Sequence, residues 1–363
     1  MNMDISKTNQ KQEAGDNSKQ NQLIGDNSNQ TIIENQYNYN MATGPMVYDI
    51  VSLTTTVSTE VTHKALDLCT QVSNKICHQK MEAFEKKWTP VIMKIDNVAD
   101  HLIDPKFQFM LRDANISAAK SSREEDLDML AHLLKCHIEK GKDMKVDAGI
   151  NKAIQIVDQV DYDSLCALTC MATIWNISSG RGIIKEGLQF LDNLFSKLLY
   201  TDLPTGDAWI DHLNVLGAVV IQTGHFNKFE ERFASLIDGY VCVGVKKNSE
   251  EHKKVIEIMK SKDIDLSDLV ENELLSDYLR LAIVQQASFY NELKPIFDLY
   301  SKDKELLNIS KSKFFEMWNS FPNLKKIKEW YDKIPFFFRI TSVGYALAQT
   351  NAKRCYPEFP DLI

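Results

Sequence analysis

Glycine and proline are scarce in this chain, with 14 glycines and 9 prolines among its 363 residues. Because these two residue types build most tight turns, their scarcity disfavours a turn-rich β fold and favours long, uninterrupted elements. The sequence also has no apolar run near the roughly 18–20 residues that a membrane-spanning helix needs. We therefore expect no transmembrane segment.

Signals for secretion and for disulfide bonding are missing as well. The first 40 residues are polar and contain no apolar stretch behind a basic start, so we expect no secretory signal peptide. The seven cysteines are odd in number and scattered, unlike the dense pattern of a disulfide scaffold. These features predict a reducing, cytoplasmic location.

Familiar catalytic motifs are also missing. The sequence contains no glycine-rich phosphate loop, no HExxH metal motif and no GxSxG nucleophile elbow. This weighs against a familiar hydrolase or a nucleotide-driven motor, and we expect no cofactor. The formal net charge of −8 disfavours a protein whose whole surface binds nucleic acid.

A ten-residue repeat is the strongest pattern that the chain does contain. Residues 15–24 read GDNSKQNQLI, and residues 25–34 read GDNSNQTIIE. Glycine permits a left-handed bend, and asparagine and glutamine side chains can stack into ladders, so such repeats suit stacked β-turns. The residues predicted to drive self-assembly into a homo-oligomer are Gly15, Asp16, Asn17, Ser18, Gln20, Gly25, Asp26, Asn27, Ser28 and Gln30. The alternative is a solvated, disordered tail, because this polar segment buries too little apolar surface to offset its ordering entropy.

Helical periodicity begins near residue 58, where apolar residues start to recur at spacings of three and four. The pairs Thr89-Pro90 and Asp104-Pro105 predict helix starts, because each places a capping residue before a proline. The clearest helix lies within residues 123–141 and is predicted to end at Gly141. Further helices are predicted at 147–159, 162–175, 183–200, 206–222, 227–238, 249–261, 265–280, 283–300 and 311–331.

The fold prediction follows from these ranges. The strand-like runs, residues 240–245 and 335–340, are too short to form a sheet without a partner. We therefore predict an all-α fold, a bundle or irregular helical array, behind a disordered or assembly-dependent β-arch tail. The predicted domains are a polar tail at 1–44, a helical domain at 45–204 and a second helical domain with a basic end at 205–363.

Two groups of residues have spacings that chemical sites use. Asp207 and Asp211 share a helical face beside His212, so a divalent cation or a general base is conceivable there. We favour the alternative that these carboxylates offset a helix dipole. Cys166 and Cys170 share a face of an apolar helix, and no further metal ligands follow at comparable spacing. We therefore predict buried thiols rather than a zinc site.

The C-terminal part of the chain is basic. Residues 311–356 carry nine Lys or Arg and three acidic residues, a local charge of +6, with aromatic residues interleaved. Such a segment could bind nucleic acid, an anionic membrane surface or the acidic body of a neighbouring copy. A solvated helix face is the simpler alternative. Its end predicts a short strand, a cap at Thr341 or Ser342, and a helix.

Several blocks of this sequence resemble an uncharacterised family of bacterial proteins. They are GDNSNQTI in the head, DPKFQFMLRDA, EEDLDMLAHLL, and RITSVGYALAQTNAKR near the end. The resemblance implies a bacterial, mainly helical protein and brings no established reaction or catalytic residues with it. The repeat is also similar to amyloid-type signalling motifs, and ITSVGYAL is similar to the closing segment of some abortive-infection proteins.

Three functional hypotheses follow. The favoured one is a non-enzymatic interaction or sensor protein that assembles through its N-terminal repeat, in anti-phage defence or a stress response, with a partner that the sequence does not identify. The second is an enzyme with an unrecognised site in the helical body, around Asp207, Asp211 and His212. The third is a nucleic-acid-associated regulator that uses residues 311–356.

Overall fold

The structure is a computed structural model that describes residues 55–59, 71–176, 182–224, 226–233, 239–282 and 287–362. The chain divides into two units, Met1–Pro45 and Met46–Ile363, and all described residues belong to the second. Most described residues are helical, which confirms the predicted all-α class. The predicted polar tail lies outside the described residues.

The described elements are mostly helices joined by short connections. The helices are α1 (Gln71–Ile92), α2 (Val98–Leu102), α3 (Pro105–Lys120), α4 (Glu124–Lys140), α5 (Met144–Ile156), α6 (Tyr162–Asn176), α7 (Ile184–Leu198), α8 (Ala208–Val215), α9 (Phe229–Phe233), α10 (Glu250–Ser261), α11 (Ala287–Phe297), α12 (Lys304–Asn319), α13 (Pro322–Tyr331) and α14 (Ser342–Cys355). The strands are β1 (Val219–Ile221), β2 (Val245–Lys246), β3 (Leu269–Glu271), β4 (Tyr278–Leu281) and β5 (Phe338–Ile340). Residues 55–59 are also helical, and 3₁₀ turns cover Val157–Gln159 and Leu266–Asp268.

Capping side chains start several helices. The carboxylate of Asp104 accepts the N–H of Lys106 at 3.0 Å, directly before α3. The hydroxyl of Thr341 accepts the N–H of Gly344 at 3.2 Å and starts α14. These two predicted starts are confirmed, and so is the end of α4, because Gly141 is its C-cap.

The helix start predicted at Thr89-Pro90 is wrong. Helix α1 continues through Pro90 and ends at Ile92. The side chains of Trp88 and Ile92 are both buried in the core, on the same side of the helix. Pro90 lies in the last turn and removes the N–H that would donate to the carbonyl of Lys86, but the burial of this face outweighs that loss.

One large apolar core joins early and late parts of the described chain. It contains Phe84 from α1 and both Phe314 and Leu347 from the last third of the sequence. Helix α14 packs against α4, α5 and α6. At Gly149 the contact with α14 is so close that a Cβ atom would meet the backbone carbon of Ser342 at 2.8 Å. The domain boundary at 204/205 stays a prediction, and a boundary there would cut through this core.

A small antiparallel sheet forms a second apolar cluster. Its strand order is β2–β4–β3, and β4 pairs with β3 through Leu281 opposite Leu269. Against it pack α10 and α11, and the buried side chains are Val245, Val255, Met259, Leu281, Leu293 and Ile296. The helix predicted at 265–280 is therefore wrong, because these residues form a 3₁₀ turn and two strands.

Two further predictions need correction in this part of the chain. The strand predicted at 240–245 is present only as β2, and the helix predicted at 206–222 ends at Val215 and is followed by β1. The strand predicted at 335–340 is confirmed as β5, which pairs with β1 through Ile340 opposite Val219. The single helix predicted at 311–331 is two helices, because Pro322 starts α13.

Candidate functional site

The self-assembly residues of the GDNS repeat precede residue 55 and lie outside the described residues. The other predicted sites lie within the described residues. They are the basic segment 311–356, the acidic group around Asp207 and the thiol pair of α6.

The aromatic residues of the basic segment belong to the core. Phe314, Phe315, Trp318, Trp330, Tyr331 and Phe338 are all buried. The indole N–H of Trp318 donates to the carbonyl of Leu324 at 2.8 Å, and that of Trp330 donates to the carbonyl of Pro204 at 2.9 Å. Bases that bind single-stranded nucleic acid stack on exposed aromatic rings. These six rings instead hold α12, α13 and β5 against the rest of the body.

About half of the basic side chains in this segment have carboxylate partners. The ion pairs are Lys325–Glu329, Lys326–Asp202, Lys328–Glu230, Lys328–Asp332 and Lys353–Asp361. Arg354 donates instead to the side-chain oxygen of Asn351 at 2.9 Å. Within the described part of the chain, Lys311, Lys313, Lys333 and Arg339 have no carboxylate oxygen within 4.0 Å. The basic segment therefore neutralises much of its charge within its own fold.

The acidic group of α8 does not come together around His212. Asp207 and Asp211 are both exposed, and Asp207 makes no side-chain capping bond. The Nε2 atom of His212 lies 3.0 Å from the carbonyl of Gln159 and 3.6 Å from Oδ2 of Asp161. His212 thus contacts the start of α6, where Asp161 caps the N–H of Ser164. Among the described residues, no group of three or more His, Cys, Asp or Glu has the arrangement of a metal site.

The thiol pair of α6 lies in the core. Cys166 and Cys170 are both fully buried, and the Cys166 thiol donates to the carbonyl of Leu198 at 3.3 Å. A hydrogen bond from the Cys170 thiol lowers the pKa of Cys166, whereas burial raises the pKa of Cys170 well above its usual value. The six described cysteines are all free thiols. Burial also raises the pKa of Cys136 and Cys355, and raises that of Cys242 to about 11.

These thiols should react slowly while the protein is folded. In a Cys69→Ser variant, six cysteines remain, and we expect Ellman's reagent to modify them only as the protein unfolds. The reactive species is the thiolate. A pKa of about 11 in place of 9.0 lowers the thiolate fraction of Cys242 at neutral pH by roughly a hundredfold. Cys166 has a lowered pKa but no exposed surface, so access limits its reaction.

The measurement compares labelling in buffer with labelling in guanidinium chloride, where all six thiols should react promptly. Rapid modification of Cys77, Cys166 or Cys170 in the folded variant would show that this part of the core opens to solvent. A single-cysteine series would then identify the position.

Charged side chains outside the predicted sites cap helices from a distance. The carboxylate of Glu273 accepts the N–H groups of Ile184 and Lys185, at 2.7 and 3.2 Å, and so caps α7. Arg280 is buried and lies beside Glu273, with its Nη2 atom 3.4 Å from Oε2 of Glu273. The same Nη2 atom donates to the carbonyl of Gly182 at 2.7 Å. Sequence reasoning missed this pair because nothing in the local pattern marks a cap that lies 89 positions away.

Two more carboxylates act in the same way. Asp192 of α7 is buried and accepts the N–H groups of Asn323 and Leu324, at 2.8 and 3.3 Å, so it caps α13. Asp332 accepts the N–H of Phe229 at 2.8 Å, at the start of α9. Carboxylates are favourable at helix N-termini because they satisfy free N–H groups and offset the helix dipole. These three carboxylates therefore stabilise helix ends of the body.

Comparison with known proteins places the helical body in a family. A model of an uncharacterised protein family matches residues 52–362. No curated protein and no solved structure matches the chain. Among the described residues, no helix has both the length and the apolar character needed to cross a membrane.

Proposed function

The chain belongs to the uncharacterised family whose model matches residues 52–362, and we propose that it is a non-enzymatic interaction or sensor protein. In this proposal the N-terminal repeat assembles copies of the chain into a homo-oligomer, and the helical body recognises a protein partner. The proposed setting is the bacterial cytoplasm, in anti-phage defence or a related stress response.

The separation between repeat and body carries this proposal. The repeat occupies residues 15–34, whereas the family match begins at residue 52. The division of the chain falls between Pro45 and Met46, after the repeat and before the described body. A weakly interacting module attached to a separate body gains strength when many copies act together. This arrangement supports assembly by the N-terminal repeat and recognition of a partner by the helical body.

The charged groups Asp192, Glu273 and Arg280 support a scaffold role. At enzyme active sites, buried ionisable groups typically lie in a cleft with shifted pKa values. Here Asp192 and Glu273 bond to helix N-termini, and Arg280 bonds to Glu273 and to the backbone. Such contacts stiffen a scaffold. They favour the interaction protein over the alternative of an enzyme around Asp207, Asp211 and His212.

Asn17→Lys combined with Asn27→Lys should lower the oligomeric state of the full chain. In an in-register stack of β-turns, equivalent residues of neighbouring copies lie about 4.8 Å apart. Each substitution would therefore place a column of like charges along the assembly, and like charges at that distance repel. We expect sedimentation velocity to give this variant the same oligomeric state as a chain that lacks residues 1–40. Its far-UV circular dichroism spectrum should match that of the unmodified chain.

The matched control is Asn2→Lys combined with Asn9→Lys, which adds the same charge outside the repeat and should leave the mass unchanged. If the full chain and the chain lacking residues 1–40 have the same number of copies per particle at every concentration, the N-terminal repeat does not drive assembly. If both double variants lose mass equally, general charge repulsion rather than the repeat is responsible.

The proposed biological role depends on similarity of short segments. The repeat is similar to amyloid-type signalling motifs, and residues 340–347, ITSVGYAL, are similar to the end of some abortive-infection proteins. Binding of nucleic acid or an anionic membrane surface through residues 311–356 stays a prediction. The side chains available for it are Lys311, Lys313, Lys333 and Arg339, which have no carboxylate partner in the described part of the chain.

A further inference from the structure

After α14 the chain turns back and lies along that helix. Residues 356–362 contain neither helix nor strand, and we call them the return segment. The carboxylate of Asp361 lies 2.5 Å from Nζ of Lys353 in α14 and 2.8 Å from Nζ of Lys140, the last residue of α4. The ring of Phe359 belongs to the main core and is almost fully buried. The return segment therefore contacts both α14 and α4.

A buried glutamine of α14 binds the main chain of the return segment. Gln349 is only 3% exposed. Its Nε2 atom donates to the carbonyl of Pro360 at 3.3 Å, and its Oε1 atom accepts the N–H of Leu362 at 2.5 Å. The same Nε2 atom lies 3.5 Å from Oδ1 of Asp361. Both ends of the Gln349 amide thus hold the backbone on either side of Asp361.

These contacts are of the kinds that peptide-binding sites use. In such sites, hydrogen bonds to the main chain supply affinity, and contacts with particular side chains supply specificity. Gln349 makes the main-chain bonds, Phe359 fills an apolar position, and two lysines receive a carboxylate. The side chains of Lys140 and Lys353 are 31% and 33% exposed, and that of Asp361 is 47% exposed. The charged part of the contact is therefore open to solvent and accessible to another protein.

We infer that the surface formed by Gln349, Lys140 and Lys353 is a docking site for a linear segment of a protein partner, and that the return segment occupies it as an internal ligand. The inference rests on the proposed function, in which the helical body recognises a protein partner. The partner's segment would share the chemistry of the sequence FPDL, with an aromatic residue, an acidic residue two positions later and an apolar residue after it. Its carboxylate would pair with the lysines, and its main chain would bond to Gln349. Docking of the partner would displace the return segment, which thereby controls access to the site.

A purely structural role for the return segment is the competing explanation. The burial of Phe359 fits that role, because burying a phenylalanine stabilises a fold. Lysines in the last turns of helices also offset the helix dipole without any ligand. Neither effect accounts for Gln349, because a buried amide is costly unless its hydrogen bonds are made. Within the described part of the chain, the hydrogen bonds of this amide all go to the return segment. The two explanations differ in whether another peptide can replace that segment.

The test measures binding of a fluorescein-labelled peptide with the sequence of residues 356–362, blocked at both ends, by fluorescence anisotropy. In the unmodified chain the return segment competes with the peptide, and the apparent affinity falls with the fraction of sites that are free. Asp361→Ala in the full chain removes two partly exposed ion pairs from the internal ligand. We expect this variant to bind the peptide about tenfold more tightly than the unmodified chain, equivalent to about 1.4 kcal/mol. Asp361→Asn, which keeps the size of the side chain, should give the same result.

Lys353→Gln, added to the Asp361→Ala chain, should remove the gain in affinity, and so should Asp361→Asn within the peptide. The matched control is Lys135→Gln in the same background. Lys135 also lies in α4 and is 40% exposed, but it pairs with Glu139 and not with the return segment. The inference fails if neither change at Asp361 of the chain tightens binding, or if Lys135→Gln weakens binding as much as Lys353→Gln does.

Sedimentation velocity separates this inference from the other proposals. If Asp361→Ala lowers the oligomeric state of the full chain, the site binds the return segment of a second copy, and the assignment to a separate partner is overturned. A peptide that fails to bind removes this site but leaves assembly through the N-terminal repeat intact, because the Asn17→Lys and Asn27→Lys variant tests that assembly. Peptide binding without assembly through the repeat would keep the site and remove the repeat from the proposed function.

Discussion

Glu273→Ala should lower the free energy of unfolding by about 1–3 kcal/mol, because it removes a helix cap and leaves the buried Arg280 without a carboxylate. The carboxylate of Glu273 accepts two N–H groups at the start of α7, at 2.7 and 3.2 Å. Its loss would leave those donors without a cap and Arg280 without its carboxylate. Arg280 is only 2% exposed, but the Glu273 side chain is 25% exposed, so water can compensate for part of the loss. Urea unfolding, followed by circular dichroism, gives the free energy directly.

The matched control lies two positions earlier. Glu271 forms an ion pair with Lys247 at 2.6 Å, but its side chain is 76% exposed. Exposed pairs contribute about 0–1 kcal/mol, so Glu271→Ala should have little effect on stability. Glu273→Gln keeps one acceptor oxygen and should fall between the two alanine variants. Equal losses for Glu273→Ala and Glu271→Ala would show that the contact between Glu273 and α7 does not stabilise the fold.

The helices that sequence reasoning identified are those whose signals are local. Asp104 lies next to the proline that begins α3, and Gly141 directly follows the last turn of α4. Such signals depend on a few neighbouring residues and act through backbone groups of the same segment. Thr89-Pro90 carries the same local signal and was misleading, because the burial of Trp88 and Ile92 extends α1 past it. Tertiary packing decides where two local signals compete.

The strands depend on contacts between distant segments, which local signals do not predict. Val219 of β1 pairs with Ile340 of β5, and the two residues are far apart in sequence. Each strand is only two to four residues long, and although the run that forms β5 was recognisable in the sequence, the run that forms β1 was not. The residues of β3 and β4 include leucines whose spacing also fits a helical face, which explains the wrong helix at 265–280. Strand pairing between distant segments is a property of the fold and not of a local window.

The candidate sites divide in a similar way. The burial of Cys166 and Cys170 was predictable, because their helix is apolar on every side. In the basic segment, composition predicted the charge but not its neutralisation. The partners of Lys326 and Lys328, Asp202 and Glu230, lie about a hundred residues away in sequence.

Phe338→Ala should also lower the free energy of unfolding by about 3–5 kcal/mol, as expected for removal of a fully buried phenylalanine. Phe338 has no exposed surface, and its ring lies 5.6 Å from that of Trp175 and 5.7 Å from that of Trp209, edge-on to the latter. The substitution would leave a cavity among α6, α8 and the β1–β5 pair. Urea unfolding measures the loss, and tryptophan fluorescence should report the change around both indoles.

Arg339→Ala is the control, on the next residue of the same strand. Arg339 is exposed and lies opposite Val220 in β1, so its replacement should change stability by no more than about 0.5 kcal/mol. Successive side chains of a strand point to opposite faces, and a shift by one residue would exchange the two positions. If Arg339→Ala proves the more damaging variant, the register of β5 is shifted by one residue. If both variants are tolerated equally, β5 does not contribute to the core as the fold requires.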